Sequence, residues 1–120
     1  MASKPEELRE RTKQFALRVI RVVRALPKTE EARVIGRQLL RSATSVAANY
    51  RALCRARSKA EFVAKAGIVV EEADESEYWL GLAVRRLGSS ATAVTLRAEA
   101  LELTKIFARS AKTARGRRHT

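Results

Sequence analysis

The sequence holds one cysteine, Cys54, and one histidine, His119. A single thiol cannot close an intramolecular disulfide, which fits a reducing, cytoplasmic setting. With one His and one Cys, neither a zinc cluster nor a Ser-His-Asp triad can be assembled. Glycine and proline number only 5 and 2, too few for a many-turned β-sandwich. Gly36, Gly67, Gly81, Gly88 and Gly116 are scattered, so no Gly-rich phosphate loop exists. Aromatic residues are sparse: Phe15, Tyr50, Phe62, Tyr78, Trp79 and Phe107. Most fall on or near apolar stripes and read as core rather than as a base-stacking platform. No apolar run reaches the roughly 18 residues of a membrane span. The opening Met-Ala-Ser-Lys-Pro-Glu-Glu lacks the apolar stretch of a secretory signal. Carboxylate chemistry is the one catalytic route left, and nothing supplies it with a pocket. The expectation is a non-enzymatic protein without metal or cofactor.

What the chain does have is apolar periodicity and positive charge. Its 120 residues are 46 % apolar, enough for one domain with a single core. Four helices can be read. The first spans about 5–26, with Pro5 at a first helical position and Glu6 and Glu7 at the positive end of its dipole. Leu8, Phe15, Val19, Val22 and Leu26 recur at helical spacing until Pro27 breaks the pattern. The second opens at Thr29 as N-cap and carries its stripe to about Arg57. Ser58-Lys-Ala-Glu61 has the form of a capping box and starts the third, whose stripe runs to Leu87. Gly88 reads as its stop. The fourth covers about 93–111. Short connections make neighbours antiparallel, so the expected fold is all-α, an up-down-up-down antiparallel four-helix bundle. Residues 1–111 form that bundle, and 112–120 form a basic flexible tail. Leu17, Ile20, Val23, Ile68, Val70, Leu82 and Ile106 fall outside the main stripes and are expected at subunit interfaces.

The chain carries 25 Lys and Arg against 13 Asp and Glu, a net charge of +12. Residues 1–60 hold 15 basic and 5 acidic side chains, whereas 61–87 hold 3 and 6. In an up-down bundle the start of helix 1, the helix 2–3 turn and the end of helix 4 share one pole. The expected phosphate-contacting set at that pole is Arg9, Arg11, Arg51, Arg55, Arg57, Lys59, Arg115, Arg117 and Arg118. Such a concentration attracts a nucleic-acid backbone by counterion release, with little sequence reading. The alternatives are a merely solvated surface, or a scaffold whose charge attracts an acidic protein.

Polar residues also line the middle of the chain. Gln38, Arg41, Ser42, Ser45 and Asn49 lie beside the helix 2 stripe, and Glu71, Glu72, Asp74, Glu75 and Glu77 form an acidic run on helix 3. Arg41 and Glu75 each lie 17 residues from Ser58, so a hairpin centred there sets them at one height. The spacing predicts that Arg41 pairs with Glu72 or Glu75, partly buried, within a structural network of Gln38, Arg41, Ser42, Asn49, Glu72 and Glu75. Glu72-x-x-Glu75 has carboxylate-ligand spacing, but no ligand His accompanies it. Cys54 reads as a small core residue.

The stretches Leu26–Tyr50 and Ser58–Leu80 resemble the bacterial four-helix-bundle family of 23S rRNA intervening-sequence proteins. Leu26, Pro27, Gln38, Leu39, Arg41, Ser42, Ser45, Asn49, Ser58, Phe62, Lys65, Glu72, Glu75, Trp79 and Leu80 carry the resemblance. It covers roughly 15–110 and is specific at helices 2 and 3. It implies a bundle assembled as a ring-like homopentamer. The family includes the accessory variability protein of diversity-generating retroelements, which implies nucleic acid and a reverse transcriptase as partners. Other members are reading frames inserted in ribosomal RNA genes. Many members have an acidic residue shortly after the helix 2 Asn, where this chain has Arg51, Ala52 and Leu53. The end of helix 2 is therefore more basic here.

Overall fold

In the computed structural model, which describes residues 4–87 and 90–116, the second, third and fourth helices each start where a side-chain hydroxyl accepts one of the first N–H groups. Helix α1 runs Lys4–Arg24, with Glu6 and Glu7 in its first turn and Arg21 and Arg24 in its last. Its final N–H groups tighten: Ala25 donates to the Val22 carbonyl at 3.1 Å and Leu26 to Val23 at 3.2 Å. Pro27 disfavours helical backbone at Leu26 and so ends the element. Helix α2, Glu30–Leu53, is capped by Thr29, whose hydroxyl accepts from the Ala32 N–H at 3.2 Å. It stops four residues before the expected Arg57, through further tightened bonds from Arg55 to Ala52 and from Ala56 to Leu53. Helix α3, Lys59–Leu87, begins as the capping motif predicts, with Ser58 accepting from the Glu61 N–H at 3.0 Å. Helix α4 runs Ala91–Gly116, longer at both ends than 93–111, with Ser90 as its cap. Gly88, the expected stop of α3, lies outside the described residues.

The helices pack in ring order. α1 meets α2, α2 meets α3, α3 meets α4, and α4 closes on α1 through the least extensive seam. Among the described residues no helix pair packs across a diagonal, as an up-down bundle requires. The molecule measures 52 × 29 × 20 Å. Phe15, Val19, Leu39, Val46, Val69, Leu80, Leu96 and Leu103 fill the axis and are essentially inaccessible. Each contributes roughly 1.5–3 kcal/mol by burial. Ala43, Ala73, Ala83 and Ala93 sit fully buried between them and let the helices approach closely. At the α2/α3 crossing two serines take this role. Ser76 donates to the Ser42 hydroxyl at 3.0 Å, and Ser42 donates to the Leu39 carbonyl at 3.2 Å. Neither buried hydroxyl is orphaned.

The expected interface residues divide. Leu17 and Ile68 are exposed. Val23, Val70 and Ile106 instead pack against the core, and Ile20 and Leu82 are half-buried. The buried arc of a bundle helix is wider than a narrow stripe, so flanking positions meet the neighbouring helices. The exposed apolar set is completed by Val34, Tyr78, Val94 and Leu101. Tyr78 is 57 % exposed and stands edge-on to Trp79, so it is not a core aromatic.

Candidate nucleic-acid interface

The basic pole forms because three chain segments converge there. Leu8, Tyr50, Leu53, Phe62 and Phe107 line one apolar cavity of about 340 Å³, which draws together the start of α1, the end of α2, the start of α3 and the end of α4. Tyr50 and Phe107 pack with ring centres 5.3 Å apart. Burial pushes the Tyr50 phenol up, and its hydrogen bond with Cys54 adds to this. Cys54 itself packs against the core.

The nine expected phosphate contacts distribute unevenly around this pole. Arg9, Arg51 and Arg55 line one groove of about 660 Å³ between α1 and α2, joined by Lys13. Glu6 and Glu10 line it as well, and Glu10 accepts from Gln14 at 2.7 Å. Ala16, Leu17, Thr44, Ala47 and Ala48 complete its lining, all but Leu17 short. Arg57, on the turn, is 4.0 Å from Glu61 and almost fully exposed. Lys59 and Arg115 are exposed at the ends of α3 and α4. Arg117 and Arg118 lie outside the described residues. Arg11 has a different occupation. Its Nε and terminal nitrogen donate to the two oxygens of Glu99 at 2.7 and 2.8 Å. This two-pronged bond staples α1 to α4 across their sparse seam and raises the Arg11 pKa. Its charge is thus matched within the bundle.

The α2/α3 seam carries the polar network. Arg41 donates to Glu72 at 3.2 Å, to Glu75, and to the Gln38 side chain at 3.3 Å. It engages both carboxylates rather than one, and its guanidinium is about half-exposed, more open than expected. Trp79 Nε1 donates to Glu75 at 3.1 Å. The Arg41 hydrogen bond, aided by Trp79, holds the Glu75 carboxyl below its usual range. Asn49 does not join this network. It donates to the Ser45 carbonyl one turn back on its own helix, at 3.0 Å. Ser76 and Trp79 belong to it instead; their i+4 spacing from Glu72 and Glu75 was the available signal. Among the described residues no group of three His, Cys, Asp or Glu side chains is placed to hold a metal ion. No described helix is long and apolar enough to cross a membrane.

The charge is also not confined to the expected pole. At the opposite end of the α1/α2 seam, Arg24, Lys28, Arg33 and Arg37 line a second groove of about 590 Å³ with no carboxylate in its wall. Basic residues at three- to five-residue steps from Arg18 to Arg37 are its signal in the sequence, and they lie away from the pole where the expected set gathers.

The family model for the 23S rRNA-intervening sequence protein matches residues 6–109. Among solved structures, the chain is similar to a protein of unknown function from the S23 ribosomal protein family of Bacteroides thetaiotaomicron. The TM-score is 0.81 at 30 % identity, over 92 % of this chain and 99 % of that one. Comparison with curated proteins gives no match.

Proposed function

The chain belongs to the 23S rRNA-intervening sequence protein family, and from that premise we propose that it is a non-enzymatic, basic four-helix bundle that binds nucleic acid through phosphate contacts. The observation that carries this reading is the groove where Arg9, Lys13, Arg51 and Arg55 converge, four cations against the two carboxylates of Glu6 and Glu10, among mostly short side chains. An excess of cations among mostly short side chains suits a polyanionic backbone, which needs charge and close approach but no base-reading pocket. The carboxylates that could have served chemistry are engaged: Glu72 and Glu75 with Arg41, Glu77 with Arg97, and Glu99 with Arg11. The protein acts in the cytoplasm as a homo-oligomer, a ring-like pentamer as the family resemblance implies. The exposed Val34, Tyr78, Val94 and Leu101 provide apolar surface for subunit contacts. Its role is that of an accessory protein, with a retroelement reverse transcriptase as the partner that the same resemblance implies.

A second reading, a protein-interaction scaffold, draws on α3. Its acidic run from Glu71 to Glu77 stands beside the exposed Tyr78, a surface suited to a protein partner. One experiment separates the two. Fluorescence anisotropy with a structured RNA is compared for the protein and for Arg9→Gln/Lys13→Gln/Arg51→Gln/Arg55→Gln. The proposal expects binding that weakens steeply with salt, and a variant with a shallower salt slope by roughly 3 to 4. Absent or salt-independent binding moves the assignment to the scaffold.

A further inference from the structure

We infer that the nucleic-acid site is a track along the whole α1/α2 face, with a second phosphate-binding cluster at Arg24, Lys28, Arg33 and Arg37, and that its ligand is a duplex. This rests on the reading above and extends it to the far end of the molecule.

The sequence isolates this face electrostatically. No acidic residue occurs from Phe15 to Lys28, nor from Ala32 to Arg57. The acids of α1 and α2 sit only near their starts, at Glu6, Glu7, Glu10, Glu30 and Glu31. The remaining acids fall on α3 and α4, so the bundle has one basic layer and one nearly balanced layer. Arg24, Lys28 and Arg37 make no ion pair within the described residues, and Arg33 meets only the solvent-exposed Glu30 at 3.4 Å. The seam is tight where this cluster forms. A Cβ on Gly36 would lie 3.2 Å from Val23 and 3.3 Å from Leu26, so the glycine lets the end of α1 close on α2. That closeness brings Arg24 and Lys28 into one groove with Arg33 and Arg37.

The spacing of the two clusters falls within one turn of a duplex. The midpoints of Arg33/Arg37 and Arg51/Arg55 are 18 residues apart along α2 and its end, about 27 Å at the helical rise, and the outermost pair, Arg33 and Arg55, spans about 33 Å. One turn of a duplex is about 34 Å, after which a backbone strand returns to the same face. A duplex laid along the seam therefore presents phosphates to both clusters. Neither groove is lined by an aromatic side chain. Single strands are held largely by base stacking on such side chains, so this face suits a paired backbone.

The test compares duplexes of about 6 and about 18 base pairs, closed as hairpins, in RNA and in DNA. These lengths fall below and above the span at about 3.4 Å per base pair. Anisotropy is measured across salt for the protein and for Arg24→Gln/Lys28→Gln/Arg33→Gln/Arg37→Gln. On the long duplex the variant is expected to lose affinity about 100-fold at low salt, with a salt slope shallower by roughly 3 to 4. On the short hairpin, which reaches only one cluster at a time, the loss stays under about 3-fold. Removing Arg85, Arg86 and Lys105 from α3 and α4 serves as the charge control and should cost far less. Equal binding by variant and parent, while the Arg9/Lys13/Arg51/Arg55 variant is impaired, overturns the second cluster and leaves the proposed function standing. An unpaired strand, or a poly-glutamate peptide, bound as tightly as the long duplex overturns the choice of ligand. No binding of any nucleic acid by the parent protein removes both.

Discussion

Charge reversal at Arg41 tests the seam between α2 and α3. The guanidinium is 47 % exposed, while Glu72 and Glu75 are 17 % and 34 % exposed, so solvent screens the pair only in part. Exposed ion pairs contribute about 0.2–1 kcal/mol each. With two partners, one of them well covered, Arg41→Ala should cost about 1 kcal/mol. Arg41→Glu removes the same bonds and adds two like-charge contacts, so it should cost about 2 kcal/mol. Adding Glu75→Arg to Arg41→Glu recreates an opposite-charge pair across the seam. It also forfeits the hydrogen bond from Trp79 to Glu75. Recovery should therefore stop near half, about 1 kcal/mol. Urea unfolding at fixed protein concentration reads this as a midpoint shift at constant slope, on the order of 1 M for the single reversal. If the double variant is no more stable than Arg41→Glu alone, the electrostatic account of the seam is wrong.

Further outcomes follow from single sites. Leu80→Ala, at a fully buried position, should destabilise by about 3 kcal/mol in the same assay. Gly67→Ala should stabilise α3 by about 0.5–1 kcal/mol, because a Cβ there meets nothing within 4 Å and glycine is a poor helix former; a loss would mean the helix needs that glycine. Glu75 is held below its ordinary value of 4.5, chiefly by Arg41. A depressed carboxylate stabilises the fold above that value and loses its effect as pH falls through the folded-state pKa. Glu75→Gln should therefore cost stability at neutral pH and progressively less below pH 4.5, followed by unfolding midpoints across pH.

The architecture was legible because its signals are local. Thr29 and Ser58 mark helix starts by capping chemistry, and Pro27 marks a stop. The Arg41 pairing followed from equal distance to Ser58 in a hairpin. Three features were not legible. The network membership of Asn49 failed because an amide on a helix can bond its own turn, as Asn49 does with Ser45. Arg11 looks like a surface cation in the sequence because Glu99 lies 88 residues away, and only closure of α4 on α1 brings them together. The second basic cluster does not show when charges are grouped by pole. The structure groups them by seam, and α1 and α2 share a seam along their full length.

The central claim is that an assembled, basic bundle carries nucleic acid through salt-sensitive contacts. Light scattering of the purified protein, with and without a structured RNA, at low and high salt, addresses it most directly. The account predicts a particle of about five chains that gains one RNA mass at low salt and releases it at high salt. A particle whose mass is the same with and without RNA at low salt would contradict it.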